Sequence, residues 1–186
     1  EEVVARMGEL KDISDEWLIH KTTSEKGFSL GYFDPTYLSN FRCAVIESGP
    51  RILGFANIFE ASSKQELSVD LMRVRAEAPN GVMDYLFANI LEWGDEQGYQ
   101  TFSLGMAPLS GLSDNPLAPD YARLGNLVYR HGGHFYNFEG LRAYKDKFGP
   151  AWQPRYLACP SRLSLPIVLS NLSTLIAGGF KGLVQK

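Results

Sequence analysis

The chain has 186 residues, 45% of them hydrophobic and 21% charged, enough for one sizeable core or two small ones. Its two cysteines, Cys43 and Cys159, exclude a disulfide framework. No CxxC pair or His/Cys cluster has metal-ligand spacing, and His131 and His134 stand without a further ligand nearby, so no metal is expected. The net charge of −3 hides an asymmetry: residues 1–122 carry 9 Lys/Arg against 19 Asp/Glu, and residues 123–186 carry 9 against 2. A basic C-terminal third suits an anionic partner such as nucleic acid, phospholipid or phosphate. The competing reading is that the two ends face different neighbours in a larger protein. No uninterrupted apolar run approaches the ~20 residues of a membrane span.

In chain order, a helix is predicted over about 12–22, with Ile13, Trp17 and Leu18 on one face, followed by a Gly/Ser loop at Lys26-Gly27. Phe28 to Phe33 is a short apolar stretch, and Asp34-Pro35 is a turn or helix start. Cys43 to Glu47 reads as a strand. Ser48-Gly49-Pro50 turns it into a second strand, Ile52 to Phe59, and residues 66–75 form a third. Pro79-Asn80-Gly81 opens a helix over about 82–97, with Met83, Leu86, Phe87 and Ile90 inward, which Gly98 ends. Thr101 to Met106 is a fourth strand. A crossover of about 17 residues between strands implies a parallel pair. The chain is therefore expected to be α/β, a mixed sheet flanked by helices.

The Pro/Ser/Gly/Asp/Asn loop at 107–118 follows the end of a parallel strand, where binding residues commonly sit. A helix over about 119–130 follows, then one over about 137–148, then a strand at 155–159. In the 137–148 helix, Leu141, Tyr144 and Phe148 form an apolar stripe. Glu139, Arg142 and Lys145 follow one another along one side as exposed charges, with Arg155 nearby. That group retains net positive charge for a phosphate. A solvated surface helix is the alternative reading of the same residues. Over 163–186, Leu165, Val168, Leu169, Leu172, Leu175, Ile176 and Phe180 recur at threes and fours, an amphipathic helix that lies on a membrane or on the protein's own core.

The order of three strands, helix, strand, helix looks like the GNAT acyltransferase fold. Acetyl-CoA members of that fold hold the cofactor pyrophosphate on a Gly-rich turn before the central helix. Here the turn has one glycine, Gly81, while Pro79 lacks an N–H and Asp84 places a negative charge in the first turn. That argues against acetyl-CoA, and no cofactor is expected.

The sequence itself resembles the C-terminal cytoplasmic domain of the bacterial phosphatidylglycerol aminoacyl-transferases, the lysyl-phosphatidylglycerol synthase family. The matching runs are Phe28-Ser-Leu-Gly-Tyr-Phe33, Ser68-Val-Asp-Leu-Met-Arg73, Ala78-Pro-Asn-Gly-Val-Met-Asp84, Leu104-Gly-Met-Ala-Pro-Leu-Ser-Gly111 and Tyr136-Asn-Phe-Glu-Gly-Leu-Arg-Ala-Tyr-Lys145. The resemblance implies an N-terminal helical segment at 1–27, a GNAT-like lobe at 28–162 and the amphipathic helix at 163–186. It implies transfer of an aminoacyl group, usually lysyl with alanyl as the rival, from aminoacyl-tRNA to a glycerol hydroxyl of phosphatidylglycerol. It further implies a first GNAT-like lobe and a membrane domain elsewhere in the full protein, at the cell (inner) membrane with this domain on the cytoplasmic side. Under it, Asp70 and Glu139 are candidates for base work or for gripping the substrate amine. Arg73, Arg142 and Lys145 suit a lipid phosphate, the tRNA terminus or an oxyanion, and Met106, Ser110 and Arg155 would bind substrate. Two other readings stay open: a small-molecule N-acyltransferase, and a lobe that only docks tRNA or lipid.

Strict alternation would put Asp70 and Arg73 on opposite faces of their strand. If both serve one site, the strand must be bulged within 69–74.

Overall fold

A computed structural model describes residues 2–20, 32–112, 119, 125–126, 129–130, 138–161 and 164–176. The sheet is built from β1 (Arg42–Ser48), β2 (Arg51–Glu60), β3 (Glu66–Val74) and β4 (Thr101–Ser103), in that spatial order. The first two pairings are antiparallel and the third is parallel. A parallel neighbour needs a crossover, and α4 (Val82–Glu96) supplies it. This is the mixed α/β sheet flanked by helices expected from the sequence.

Two bulges decide which side chains share a face. On β2, Ile46 pairs with Gly54 and Glu47 with Ile52, so Leu53 is an extra residue. Ile52 and Phe55, three apart, consequently enter the same core. On β3, Ala56 pairs with Met72 and Ile58 with Val69, so Asp70 and Leu71 together oppose Asn57. Each extra residue resets the alternation by one. The second bulge falls inside the 69–74 window anticipated above.

Each face has its own core. On one, α1 (Glu2–Ala5), α2 (Met7–His20) and α3 (Pro35–Leu38) cover the sheet, and Leu10, Ile13, Leu38, Ile52, Phe55 and Leu71 are buried together. On the other, α4 contributes Leu86 and Ile90 against Ala56, Ile58, Leu67 and Tyr99, with Met83 partly buried beside them. Each buried Leu, Ile or Phe contributes roughly 1.5–3 kcal/mol relative to exposure. Helix α2 begins five residues earlier than the sequence pattern suggests, because Leu10 extends the buried stripe started by Ile13. Its C-terminal half is tied to the strand exit: Glu16 pairs with Arg75 at 3.0 Å and accepts from the Ala76 N–H at 2.8 Å.

The chain divides into two units, Glu1–Ser103 with Leu157–Lys186, and Leu104–Tyr156. In the second, α5 (Phe138–Asp146) is the charged helix anticipated over 137–148. In the first, α6 (Leu165–Ile176) is the described part of the 163–186 helix, with Ile167 and Leu169 exposed. Among the described residues no helix is long and apolar enough to cross a membrane.

One expected element is absent: residues 155–159 form no strand. Pro154 and Pro160 bracket the segment and confine any strand there to five residues. Tyr156 and Leu157 are correspondingly exposed. Cys159 therefore lies outside any strand, where its thiol donates to the Ser161 carbonyl at 3.3 Å. Most of the 119–130 helix, the Phe28 to Gly31 run, His131, His134 and residues 177–186 lie outside the described residues.

Candidate functional site

In the first unit, the β3 bulge places Asp70 and Arg73 on the face covered by α2 and α3. Asp70 is half-buried, and its Oδ2 accepts from the Tyr37 hydroxyl at 2.9 Å. Arg73 is 5% exposed, and its guanidinium lies 4.2 Å from the centre of the Trp17 ring on α2. A cation over an indole face gains electrostatic attraction that grows as water is removed. A strand without the extra residue would have sent one of the two side chains into the α4 core. The bulge is sealed from below by Asn57, fully buried, whose Oδ1 accepts the Leu71 N–H at 2.7 Å. That amide belongs to the doubled position, so the regular ladder offers it no acceptor. Burial first, and the carboxylate of Asp70 second, push the Tyr37 hydroxyl up to about 12.

The second unit holds a cluster built by α5 and the loop after β4. Lys145 is 8% exposed, and its Nζ donates to the Met106 carbonyl at 2.8 Å. Burial pulls its ammonium below the usual lysine range. Gly105, with φ of +72°, lets the chain take a left-handed turn there that side-chain-bearing residues rarely adopt. Arg142, one turn earlier, reaches Ser110 Oγ at 3.3 Å and Asp146 at 3.0 Å. Its guanidinium also stacks 3.6 Å from the centre of the Trp152 ring. Trp152 Nε1 donates to Asp146 at 2.7 Å, and this bond, with Arg142 next, holds the Asp146 carboxyl below its ordinary range.

Four of the sequence-selected residues, Met106, Ser110, Arg142 and Lys145, thus come together in one unit, while in the other Asp70 and Arg73 share a sheet face, each with its own partner. Met106 joins through its carbonyl, its side chain being 63% exposed. Two expectations need correction. Glu139 is exposed and, among the described residues, pairs with neither Arg142 nor Lys145; Arg142 pairs instead with Asp146, its i+4 neighbour, which Trp152 also holds. Lys145 is buried, because it sits on the side of α5 that faces the loop. Arg155 is exposed and, among the described residues, contacts only Gln153, at 3.5 Å. Among the described residues no cluster of three or more His, Cys, Asp or Glu could hold a metal. Sequence reading gave no site role to Tyr37, Trp152 and Asn57, and read Trp17 only as part of the packed face of its helix. They look like ordinary core or turn residues, and nothing local signals that they would brace charges.

A sequence profile for the C-terminal domain of phosphatidylglycerol lysyltransferase matches residues 1–159. The chain belongs to that family. It is 41% identical over 173 residues to the phosphatidylglycerol lysyltransferase of Bacillus subtilis (strain 168), covering 92% of this chain and 20% of that protein. With the enzyme of the same name from Staphylococcus aureus (strain MRSA252) it shares 35% over 171 residues, covering 91% and 20%. Two solved structures are similar. A C-terminal domain assigned to a lysylphosphatidylglycerol synthetase from Agrobacterium fabrum superposes with a TM-score of 0.80 at 44% identity, covering 97% of this chain and 54% of that one. The L-PGS of Bacillus licheniformis superposes with a TM-score of 0.76 at 40% identity, covering 92% and 52%. The chain spans about a fifth of the length of these curated relatives and about half of the solved chains. Members of the family carry their domain within a longer protein, and this chain corresponds to one part of it.

Proposed function

We propose that this domain takes part in moving a lysyl group from lysyl-tRNA to a glycerol hydroxyl of phosphatidylglycerol. The ester on tRNA is already activated, so the step needs neither ATP nor CoA. The lipid hydroxyl oxygen bonds to the lysyl carbonyl carbon, and its proton goes to a base. The tetrahedral oxyanion then collapses, the bond to the tRNA ribose oxygen breaks, and that oxygen takes a proton. In this reading Asp70 is the base, and Arg73 is the cation beside the developing charge. Arg142 and Lys145 serve the phosphate of lipid or tRNA, with Ser110 and the Met106 loop beside them. Glu139 and Arg155, both exposed, extend the surface that meets the substrates.

The observation that carries the proposal is the bulge at Asp70–Leu71. It places a carboxylate and a guanidinium on one face of a strand whose plain alternation would separate them, in a chain of this family. The exposed Ile167 and Leu169 of α6 support contact with a lipid surface. The full protein would act at the cell membrane with this domain on the cytoplasmic side, together with the remaining lobe and membrane region.

The test is the full-length protein in phosphatidylglycerol vesicles, supplied with individually charged tRNAs, with the lipid products separated and quantified. Lysyl-phosphatidylglycerol is the expected product. Asp70→Asn and Arg73→Met should each lower its formation by roughly two orders of magnitude or more. Wild-type rates in both variants would move the chemistry away from β3. Alanyl product in place of lysyl product would change the donor and leave the chemistry standing.

A further inference from the structure

Tyr37 lies 33 positions before Asp70, on the four-residue helix α3, and no motif in the sequence singles it out. Its backbone is held at both ends: its N–H donates to Asp34 Oδ1 at 2.7 Å, and its carbonyl accepts from the Asn40 N–H at 3.1 Å. Its ring is held on two sides. Tyr32 stacks on it at 5.9 Å with planes 9° apart, and Phe41 meets it edge-on at 4.8 Å. The adjacent Leu38 is fully buried and plugs α3 into the core. A phenol braced in this way has little freedom left, and its oxygen ends 2.9 Å from Asp70 Oδ2.

We propose that Tyr37 is a positioning residue for Asp70: by donating to Oδ2 it fixes the carboxylate plane and aims Oδ1 at the substrate hydroxyl. Among the described residues nothing hydrogen-bonds to Oδ1, which leaves that oxygen to accept a proton. The hydroxyl is the donor, because a carboxylate oxygen without a proton can only accept. A carboxylate on a bulged, half-buried position has two free side-chain torsions. Locking them lowers the reorganisation needed at the moment of proton transfer. The inference rests on the assignment of Asp70 as the base.

The experiment uses the full-length protein in phosphatidylglycerol vesicles with lysyl-tRNA, comparing Tyr37→Phe, Tyr37→Leu and Asp70→Asn in kcat, in KM for each substrate and in melting temperature. Tyr37→Phe keeps the ring and its packing and removes only the hydroxyl. It should lower kcat roughly ten- to hundredfold, the range of one charge-assisted hydrogen bond, with KM within about twofold and melting temperature unchanged. Tyr37→Leu should show the same fall in kcat and, in addition, a lower melting temperature. Wild-type kcat in Tyr37→Phe while Tyr37→Leu is impaired would mean that only ring packing matters, and would overturn the proposal. A rise in KM with kcat intact would place Tyr37 in ground-state binding and overturn it too. Full activity in Asp70→Asn would remove the base assignment and this inference with it, whereas an inactive Asp70→Asn beside an unaffected Tyr37→Phe would remove the inference alone.

Discussion

Lys145 offers the sharpest test of how the second unit is held together, because its charge and its stem act in opposite directions. The side chain is 8% exposed, so its four methylenes are largely out of water and contribute about 0.8 kcal/mol each. Its ammonium satisfies the Met106 carbonyl, and stranding that acceptor costs about 1–3 kcal/mol. Against both stands the desolvation of the ammonium, visible in the downward shift that burial imposes on it. Lys145→Ala loses the stem and the donor together and should destabilise by about 2–4 kcal/mol. Lys145→Met keeps most of the stem and discards the desolvated charge, so it should be at least about 2 kcal/mol more stable than the alanine variant. The sign of the pH dependence follows from the same shift. The unfolded lysine titrates near 10.5 and the folded one lower, so the unfolded chain binds more protons in that interval. Wild-type stability should therefore rise with pH as the folded ammonium deprotonates, up to about 10.5, and Lys145→Met should not show this rise. Urea denaturation followed by tryptophan fluorescence, over neutral to alkaline pH, measures all three quantities. Equal destabilisation in the Met and Ala variants, or an unchanged alkaline rise in Lys145→Met, would refute the reasoning. Lys145→Met should lose transfer activity despite its stability.

The remaining expectations concern the sheet. Asn57→Ala strands the Leu71 N–H in the bulge and should cost about 1–3 kcal/mol by chemical denaturation, with transfer falling further than stability because Asp70 is no longer held in place. Gly54→Ala should be destabilising by about 1–3 kcal/mol, read as a lower melting temperature, since the added Cβ would lie 2.7 Å from Val74 Cγ1 and 3.1 Å from the Arg73 carbonyl. Glu9 accepts the Ile52 N–H at 2.6 Å and pairs with Arg6 at 2.7 Å, and these, in that order, hold its carboxyl below the ordinary 4.5. A depressed carboxyl stabilises above its unfolded value and loses that contribution as pH falls through the folded one. Glu9→Gln should therefore be less stable than wild type at pH 7, with the gap closing in titrations below pH 4.5.

Local chemistry alone determined much of this protein. The hairpin, the third strand and the crossover helix follow from hydrophobic period and from Gly/Pro punctuation, which act over a few residues. Leu86, Phe87 and Ile90 point inward because a 3.6-residue repeat leaves them no other face. Even the β3 bulge was legible, though only conditionally: alternation forbids Asp70 and Arg73 from sharing a face unless one residue is added. The tertiary structure decided what alternation and period cannot carry. It gave Asp70 its partner from α3 and Arg73 its partner from α2, contacts between residues 33 and 56 positions apart that no local pattern encodes. It chose Asp146 over Glu139 as the partner of Arg142, and it buried Lys145 by bringing a carbonyl from another segment to its ammonium. It left 155–159 without a strand, because an apolar run becomes one only where a neighbouring strand offers it an edge. Residue type sets what a side chain can do; which group it does it to is fixed only when distant segments are packed against each other.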